Sequence, residues 1–228
     1  LDDVDLAGKN LTNAILTSVD LSDKDHTGAD LTGAKLVSSD LSDMDLTNTT
    51  LTKADLTSAD LSNTDLSGVD LTDCILQYAI LSNANLSDSN LTDVQLNNAI
   101  LLNTDIRNAN LFGAYVQEID FTEIKSKNWN GVNIRMAQFY NSDLEGMDFS
   151  GKDLTLTYFP MTKLVGVSFS NDVILHGTFF READLQNTNF EEADLAPRVI
   201  FSKLFENMAH LADKYVENGK IIIGYKLG

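Results

Sequence analysis

The residues Leu51-Thr52-Lys53-Ala54-Asp55 and Leu56-Thr57-Ser58-Ala59-Asp60 are two consecutive copies of one five-residue unit. Large side chains continue at this spacing from Leu1 to Phe121, where 21 of 25 positions are leucine and His26 is the one polar residue. A period of five fits neither an α-helix, with its repeat of 3.6, nor a strand, whose side chains alternate between two faces. The chain must therefore turn a corner every five residues, which predicts a solenoid.

A second period of twenty residues lies over the period of five. The residue after the large one is threonine at five positions spaced by twenty: Thr12, Thr32, Thr52, Thr72 and Thr92. Residues twenty apart should therefore stack, in coils of four five-residue sides about 4.8 Å apart, the spacing of hydrogen-bonded strands. Small residues such as Ala54 and Ala59 stand two before the large residue and should share a narrow interior with it. We predict an all-β, four-sided parallel β-helix in which stacked Ser, Thr and Asn form side-chain ladders.

The units Ala54-Asp55-Leu56-Thr57-Ser58 and Ala84-Asn85-Leu86-Ser87-Asp88 resemble the A-(D/N)-L-x-x unit of pentapeptide-repeat proteins. The resemblance covers roughly residues 1–195. It implies a right-handed, quadrilateral β-helix in which the central Leu or Phe and the residue two before it face inward. The family is defined by its fold, so the resemblance implies little about activity. Bacterial members that protect or inhibit DNA gyrase are similar to this chain in fold, size and acidity.

Changes of pattern divide the chain into three segments. Residues 1–121 form the regular β-helix, and residues 122–196 continue it after a register break with mostly Phe at the inward position. Between the two segments either three residues are extra or two are missing, and a further one-residue slip falls near 170–172. Residues 197–228 begin with helical apolar spacing up to Tyr215, followed by a strand at Ile221–Ile223. We predict that this C-terminal helix caps the last coil or forms a homodimer contact.

Negative charge is concentrated in the regular segment. The chain has a net charge of −18, and residues 1–121 hold 20 acids against 5 bases. One predicted column, here called the aspartate column, places an acid or amide before the large residue at Asp5, Asp25, Asp45, Asp65, Asn85 and Asp105. Carboxylates about 5 Å apart repel by roughly 1 kcal/mol even in water. We expect the column to cost stability unless cations or a basic partner offset the repulsion.

Apolar residues interrupt the outward positions near the middle of the regular segment. Ile80 and Ile100 should stack one coil apart, and Ile75 should share the neighbouring face with Tyr115. Isolated apolar residues are normal on protein surfaces, so exposure without function is one interpretation. The alternative is a small docking patch of Ile80 with Ile75 and Ile100, with Tyr115 as a further candidate on the neighbouring face and the bulge around Ile124 as a second docking position.

Three functions are compatible with an acidic rod. The first is a non-enzymatic scaffold that binds an unknown protein partner. The second is a DNA mimic, because rows of carboxylates on a rod of duplex-like width would attract the basic groove of a topoisomerase or another DNA-binding protein. The third is a structural rod that binds divalent cations along the aspartate column, although a calcium site needs six to eight converging oxygen ligands. Direct binding of nucleic acid is not expected for a chain of this charge.

The sequence contains no motif typical of an enzyme. His26, His176 and His210 lie far apart, the single Cys74 occupies a small inward position, and no phosphate loop or metal-ligand spacing occurs. We expect no cofactor, no metal site and no catalytic residue, and we interpret His26 as a substitution in a leucine position. No segment is apolar for long enough to cross a membrane. A cytoplasmic location is favoured slightly over export with a removed leader upstream of Leu1.

Overall fold

The computed structural model describes residues 6–194 apart from 23, 128 and 130, and near the C-terminus the backbone of 216–217 and 220–221. Single parallel bridges join residues twenty apart, as in the series Asp40, Asp60, Ile80 and Ile100. Bridging residues recur every five positions, so the coils of the chain stack in four columns of bridges. The predicted β-helical solenoid is confirmed. Its right-handedness and quadrilateral cross-section stay predictions.

Each side of a coil ends in a tight turn. The amide of Ala59 donates to the Leu56 carbonyl at 3.0 Å and closes a four-residue turn. Its third residue, Ser58, has a φ of 56°, and Asn63 and Asn83 occupy the same turn position with φ of 58° and 60°. Positive φ at this position is typical of a type II turn, where Gly and Asn are the residues of lowest cost. Repetition of this turn makes the chain change direction every five residues.

Backbone amides donate hydrogen bonds in three ways. The first is the bond that closes each turn, as from Ala59 to Leu56. In the second, coils bond to one another: the Leu56 amide donates to the Ile75 carbonyl at 2.7 Å, and the Ile75 amide donates to the Ala54 carbonyl at 3.0 Å. In the third, the Thr57 amide donates to the side chain of Asp55 at 3.1 Å. Because an unpaired backbone amide is costly, the Asp or Asn before the inward residue acts as a cap within its own turn.

Leucine fills the interior of the regular segment. The inward leucines from Leu21 to Leu91 are fully buried, as are the small residues Ala54 and Ala59 beside them. Hydroxyl groups in the small position are satisfied by carbonyls, as where Thr64 donates to Leu61 at 2.6 Å. A uniform set of side chains therefore gives a uniform stack of coils.

Two insertions shift the register of the later coils. The bridge from Asn110 to Asn133 spans 23 residues, and the bridge from Asp153 to Ile174 spans 21, where regular bridges span 20. Three residues are thus inserted at the first break and one at the second. Trp129 follows the first insertion and is buried in the core. The stacking continues past both insertions because the extra residues are accommodated between bridging positions.

Phenylalanine replaces leucine in two of the four inward columns beyond the first insertion. One column contains Phe139, Phe159 and Phe180, and the other contains Phe149, Phe169 and Phe190. In the first column the ring centroids lie 5.2 and 5.4 Å apart, with interplanar angles of 18° and 12°. Aromatic pairs at such distances contribute about 0.5–1.5 kcal/mol each beyond the burial of their area. The interior of these coils is therefore packed differently from that of the leucine coils.

Two short strands lie near the C-terminus. Strands β1 (Val216–Glu217) and β2 (Lys220–Ile221) pair antiparallel. The strand predicted at Ile221–Ile223 thus begins one residue earlier, and β1 was not predicted, because the apolar spacing up to Tyr215 obscured the hairpin signal of Asn218-Gly219. The predicted helix, with its cap or dimer contact, lies outside the described residues. Where the structure describes the chain, it contains no helix long and apolar enough to cross a bilayer.

Candidate interaction surfaces

The structure stacks the aspartate column from Asp45 to Asp105. Parallel bridges join Asp45 to Asp65, Asp65 to Asn85 and Asn85 to Asp105. The side-chain amide of Asn85 donates to the Asp65 carboxylate at 3.1 Å, so one step of the column is attractive. Among the described residues, no bridge joins Asp25 to Asp45. The remaining predicted member of the column, at position 5, lies outside the described residues.

Most outward aspartates cap the amide two residues ahead of them. Within the described residues, fifteen Asp and six Asn side chains make this contact. Asp45 accepts from the Thr47 amide at 3.0 Å and from the Thr47 hydroxyl at 2.7 Å, and these bonds lower the pKa of the carboxyl. Asn90 accepts the same two bonds from Thr92. The cap therefore needs an oxygen acceptor and not a negative charge.

Asparagine side chains form the ladders that the repeat predicts, whereas most threonines do not. One ladder joins Asp43, Asn63, Asn83 and Asn103 through amide-to-oxygen bonds of 2.9, 3.0 and 2.9 Å. A second joins Asp70, Asn90, Asn110 and Asn133, and so continues across the first insertion. Hydroxyls such as that of Thr57 donate instead to the capping oxygen of their own coil, at 2.6 Å. The shorter side chain satisfies its donor locally before it can reach the next coil.

The upper end of the aspartate column is neutralised within the chain. Asp105 is 3% exposed. The Arg107 Nη2 lies 2.6 Å from its carboxylate and the Lys125 Nζ lies 3.1 Å away. Hydrogen bonds from Arg107, and after them Lys125, hold the pKa of Asp105 well below its usual range. In its described part, the column therefore presents its charge to solvent mainly at Asp25 and Asp45, which are exposed, and at the half-buried Asp65.

The predicted apolar patch is only partly contiguous. Ile80 and Ile100 are joined by a bridge, and Ile100 is 50% exposed. Ile75 and Tyr115 lie in one neighbouring column but are separated there by Gln95. All four residues stand at the capping position, where an apolar side chain offers no acceptor to the following amide. The bulge around Ile124 is not a docking position centred on that residue, because Ile124 is 7% exposed and packs into the core.

A larger apolar surface lies on the column that contains Tyr115. We call it the apolar face, and it consists of Tyr115, Met136, Tyr140, Leu156, Tyr158, Met161 and Phe179. Bridges stack Tyr115, Gln138, Tyr158 and Phe179, and the rings of the last two lie 5.7 Å apart. The six residues before Phe179 are each about two-fifths exposed, between 39% and 46%. Sequence analysis missed this face because its members align only once the 23-residue and 21-residue offsets are known.

Three members of the apolar face occupy the left-handed turn position. Met136, Leu156 and Met161 have φ of 61°, 58° and 55°. For an L-residue other than Gly, Asn or Asp this conformation costs about 1 kcal/mol. Leu156 also lies over Gly177, where an added Cβ would stand 2.8 Å from its Cδ2. These turns hold apolar side chains at positions where Asn or Gly would be less strained.

Cys74 and His26 are both buried in the core. Cys74 is buried, its thiol donates to the Leu51 carbonyl at 2.8 Å, and burial raises its pKa to about 12. His26 fills its leucine position at 2% exposure, and its Nε2 meets no hydrogen-bond partner among the described residues. Burial lowers the pKa of His26. In the part of the chain that the structure describes, no three His, Cys, Asp or Glu side chains converge as a metal site would require.

Comparison with protein families gives one match. The model described as pentapeptide repeats matches eight copies in residues 27–63, 54–93, 89–125 and 172–196, which together cover more than half of the chain. A comparison with curated proteins gives no match. The repeats found by the family model are the units whose turns, caps and inward side chains are described above.

Two solved structures match over most of the chain. HetL from the cyanobacterium Nostoc sp. strain PCC 7120, a protein involved in heterocyst differentiation regulation, is 23% identical with a TM-score of 0.50; the match covers 86% of this chain and 91% of HetL. Full-length QnrB1, a plasmid-mediated fluoroquinolone resistance protein, is 16% identical with a TM-score of 0.37 over 82% of this chain and 94% of its own. At this identity HetL supports the fold alone.

Proposed function

We propose that this chain, which belongs to the pentapeptide-repeat protein family, is a right-handed, four-sided rod that acts as a non-enzymatic scaffold for a protein partner with a basic surface. The observation that carries the proposal is the equivalence of Asp and Asn as caps. Between residues 20 and 70 the capping side chains are nine Asp and no Asn, although Asn makes the same bonds in the coils above. The charge is therefore more than the fold requires.

The excess charge supports a basic partner for an energetic reason. Stacked carboxylates such as Asp40 and Asp60, or Asp45 and Asp65, are bridged one coil apart and repel one another. A partner that brings lysine or arginine to these rows removes the repulsion and gains favourable pairs at the same time. Electrostatic attraction of this kind raises association rates and decreases with ionic strength.

A four-residue variant tests the scaffold proposal. Asp40→Asn, Asp45→Asn, Asp60→Asn and Asp65→Asn together keep an oxygen at every cap and remove four charges. The matched control removes four capping charges elsewhere, with Asp120→Asn, Asp148→Asn, Asp153→Asn and Asp184→Asn. Partners retained from a cell extract on the wild-type rod should be lost at high salt and lost from the first variant, but kept by the control. Equal retention by both variants would refute a partner bound to the acidic coils.

DNA mimicry is the more specific alternative. It is favoured by the same rows, because carboxylates repeat at the coil spacing on two neighbouring columns from Asp40 to Asp65. A topoisomerase should then bind the rod in a salt-sensitive manner. In a supercoiling assay with DNA gyrase, micromolar wild-type rod should change the rate and the first variant should not. An unchanged rate with the wild-type rod would exclude gyrase as the target and leave the general scaffold proposal standing.

A further inference from the structure

We propose that two copies of this chain pair with each other through the apolar face. The proposal rests on residues other than the acidic coils, so it stands or fails independently of the scaffold function. It concerns a lateral surface of the rod within residues 115–179, and not the C-terminal segment.

The first argument is charge. Along the apolar face the bridging positions are Tyr115, Gln138, Tyr158 and Phe179, and the positions that follow the inward residue are Gln117, Tyr140, Pro160 and Arg181. None of these eight is Asp or Glu. The other three bridging columns of the described coils 129–194 all carry aspartate, at Asp143, Asp148 and Asp153. The acids at the turn position that follows this column are Glu118 and Glu182, and the Glu182 carboxylate lies 3.3 Å from the Arg181 Nε. A second copy also carries a net charge of −18, so two rods repel each other less on this side, whose bridging column has no carboxylate, than on the other three.

The second argument is area. Six side chains of the size of Tyr, Met and Leu, each about two-fifths exposed, leave roughly 500 Å² of mostly apolar surface, taking ~200 Å² for a fully exposed side chain. Patches of this size are at the upper end for monomeric proteins. A standard interface buries about 800 Å² on each partner, and its centre is rich in Tyr and Met and poor in Asp and Glu. The apolar face supplies the centre of such an interface, and the Gln and Arg side chains around it supply a polar rim.

The third argument is backbone strain. Met136, Leu156 and Met161 hold positive φ at turn positions where Asn13, Asn63 and Asn83 stand in other coils. In an isolated rod these apolar side chains lower stability and also expose apolar surface to water. Burial of these side chains against a partner gains free energy that offsets both costs. A second copy covers the face with the same complementary set of aromatic and thioether groups.

The test measures the molecular mass of the protein in solution, and its variants replace strained apolar turn residues by asparagine. The double variant Met136→Asn and Met161→Asn removes apolar surface while placing the preferred residue in each turn, so the rod should fold at least as well as the wild type. Tyr78→Asn is the matched control, because Tyr78 also has a positive φ of 59° and is 57% exposed, but stands in the same turn column as Met161 several coils below it, beyond the end of the face. Sedimentation equilibrium of the full chain from about 1 to about 100 µM gives the dissociation constant of a dimer in this range.

We expect a dimer that the double variant weakens at least tenfold and that Tyr78→Asn leaves unchanged. A wild-type chain that is monomeric at all concentrations overturns the proposal and leaves the face to another partner. A dimer that the double variant does not weaken also overturns it, and places the contact elsewhere on the chain.

Cross-linking gives an independent measurement. Gln138 lies between Tyr115 and Tyr158 in the stack, near the centre of the face. In Gln138→Cys, mild oxidation should form a disulfide between two copies, whereas Gln95→Cys, one coil below Tyr115 in the same column, should not. The buried Cys74, with its raised pKa, stays unreactive in both. Equal cross-linking of the two variants would contradict pairing through this face.

Discussion

The coils of residues 6–121 and those of residues 129–194 use the same turns and bridges but differ inside and outside. The first set has leucine in all four inward columns and rows of capping aspartates. The second has two phenylalanine columns and most of the apolar face, including its three strained turns. The same backbone pattern is therefore compatible with a leucine or a phenylalanine interior and with an acidic or an apolar surface. Since the fold is common to both, functional differences between the two regions must come from their outward side chains.

The largest expected effect concerns the aromatic interior. Phe159 contacts Phe139 and Phe180 with ring centroids 5.2 and 5.4 Å apart. Phe159→Ala should lower the free energy of unfolding by about 4 kcal/mol, and Leu61→Ala in the leucine coils by about 3 kcal/mol. Urea unfolding of both variants measures the difference. A loss below about 1 kcal/mol for Phe159→Ala would show that the aromatic columns do not stabilise the second region.

The next effect concerns the junction between the two regions. Asp105→Ala removes the carboxylate that Arg107 and Lys125 share, and should cost about 2–3 kcal/mol at neutral pH. The folded pKa of Asp105 is lowered, so its contribution is complete above the unfolded pKa of about 4 and is lost as the pH falls through the folded value. The stabilities of variant and wild type should therefore begin to converge as the pH falls below about 4 and approach each other near the lowered folded pKa. A difference that is constant with pH would contradict the role of the charge.

A smaller effect of opposite sign is expected at the first coils. His26→Leu restores the inward leucine and removes a buried Nε2 that has no partner among the described residues, so it should stabilise by about 1 kcal/mol. The folded pKa of His26 is lowered, so wild-type stability falls as the pH drops below the unfolded value of about 6.5. The gain should be larger near pH 5.5 than near pH 8 in thermal unfolding. A larger gain at the higher pH would contradict a buried neutral imidazole.

The smallest effect is expected for the caps. Asp65→Asn keeps the acceptor for the Ser67 amide, so the free energy of unfolding should change by no more than about 0.5 kcal/mol, with a slight gain at low salt. Asp65→Ala loses the acceptor and should cost about 1 kcal/mol. Thermal unfolding at low and high salt separates the effect of the negative charge from that of the capping hydrogen bond. A loss for Asp65→Asn as large as that for Asp65→Ala would show that the charge itself stabilises the rod.

Much of the solenoid could be predicted because its signal is local and repeated. The inward positions of Leu51, Leu56 and Leu61 and the vertical order of Asp45 and Asp65 follow directly from periods of five and twenty. Ile124 marks the limit: it continues the small inward series of Ala114 and Ile119 and packs into the core, but the sequence did not determine the offset that follows it. The apolar face was missed for the same reason.

The sequence by itself determined the coil, the inward side chains and the asymmetry of charge, since each unit of five residues repeats the same local turn and burial. Only the tertiary structure showed that the aspartates are caps, because the acceptor and the amide are brought together by the turn and not by any pattern in the sequence. The tertiary structure also decided which outward residues of different coils are neighbours beyond the insertions, since an offset of 23 or 21 residues changes every vertical contact above it. Tyr115, Tyr158 and Phe179 share one face for that reason.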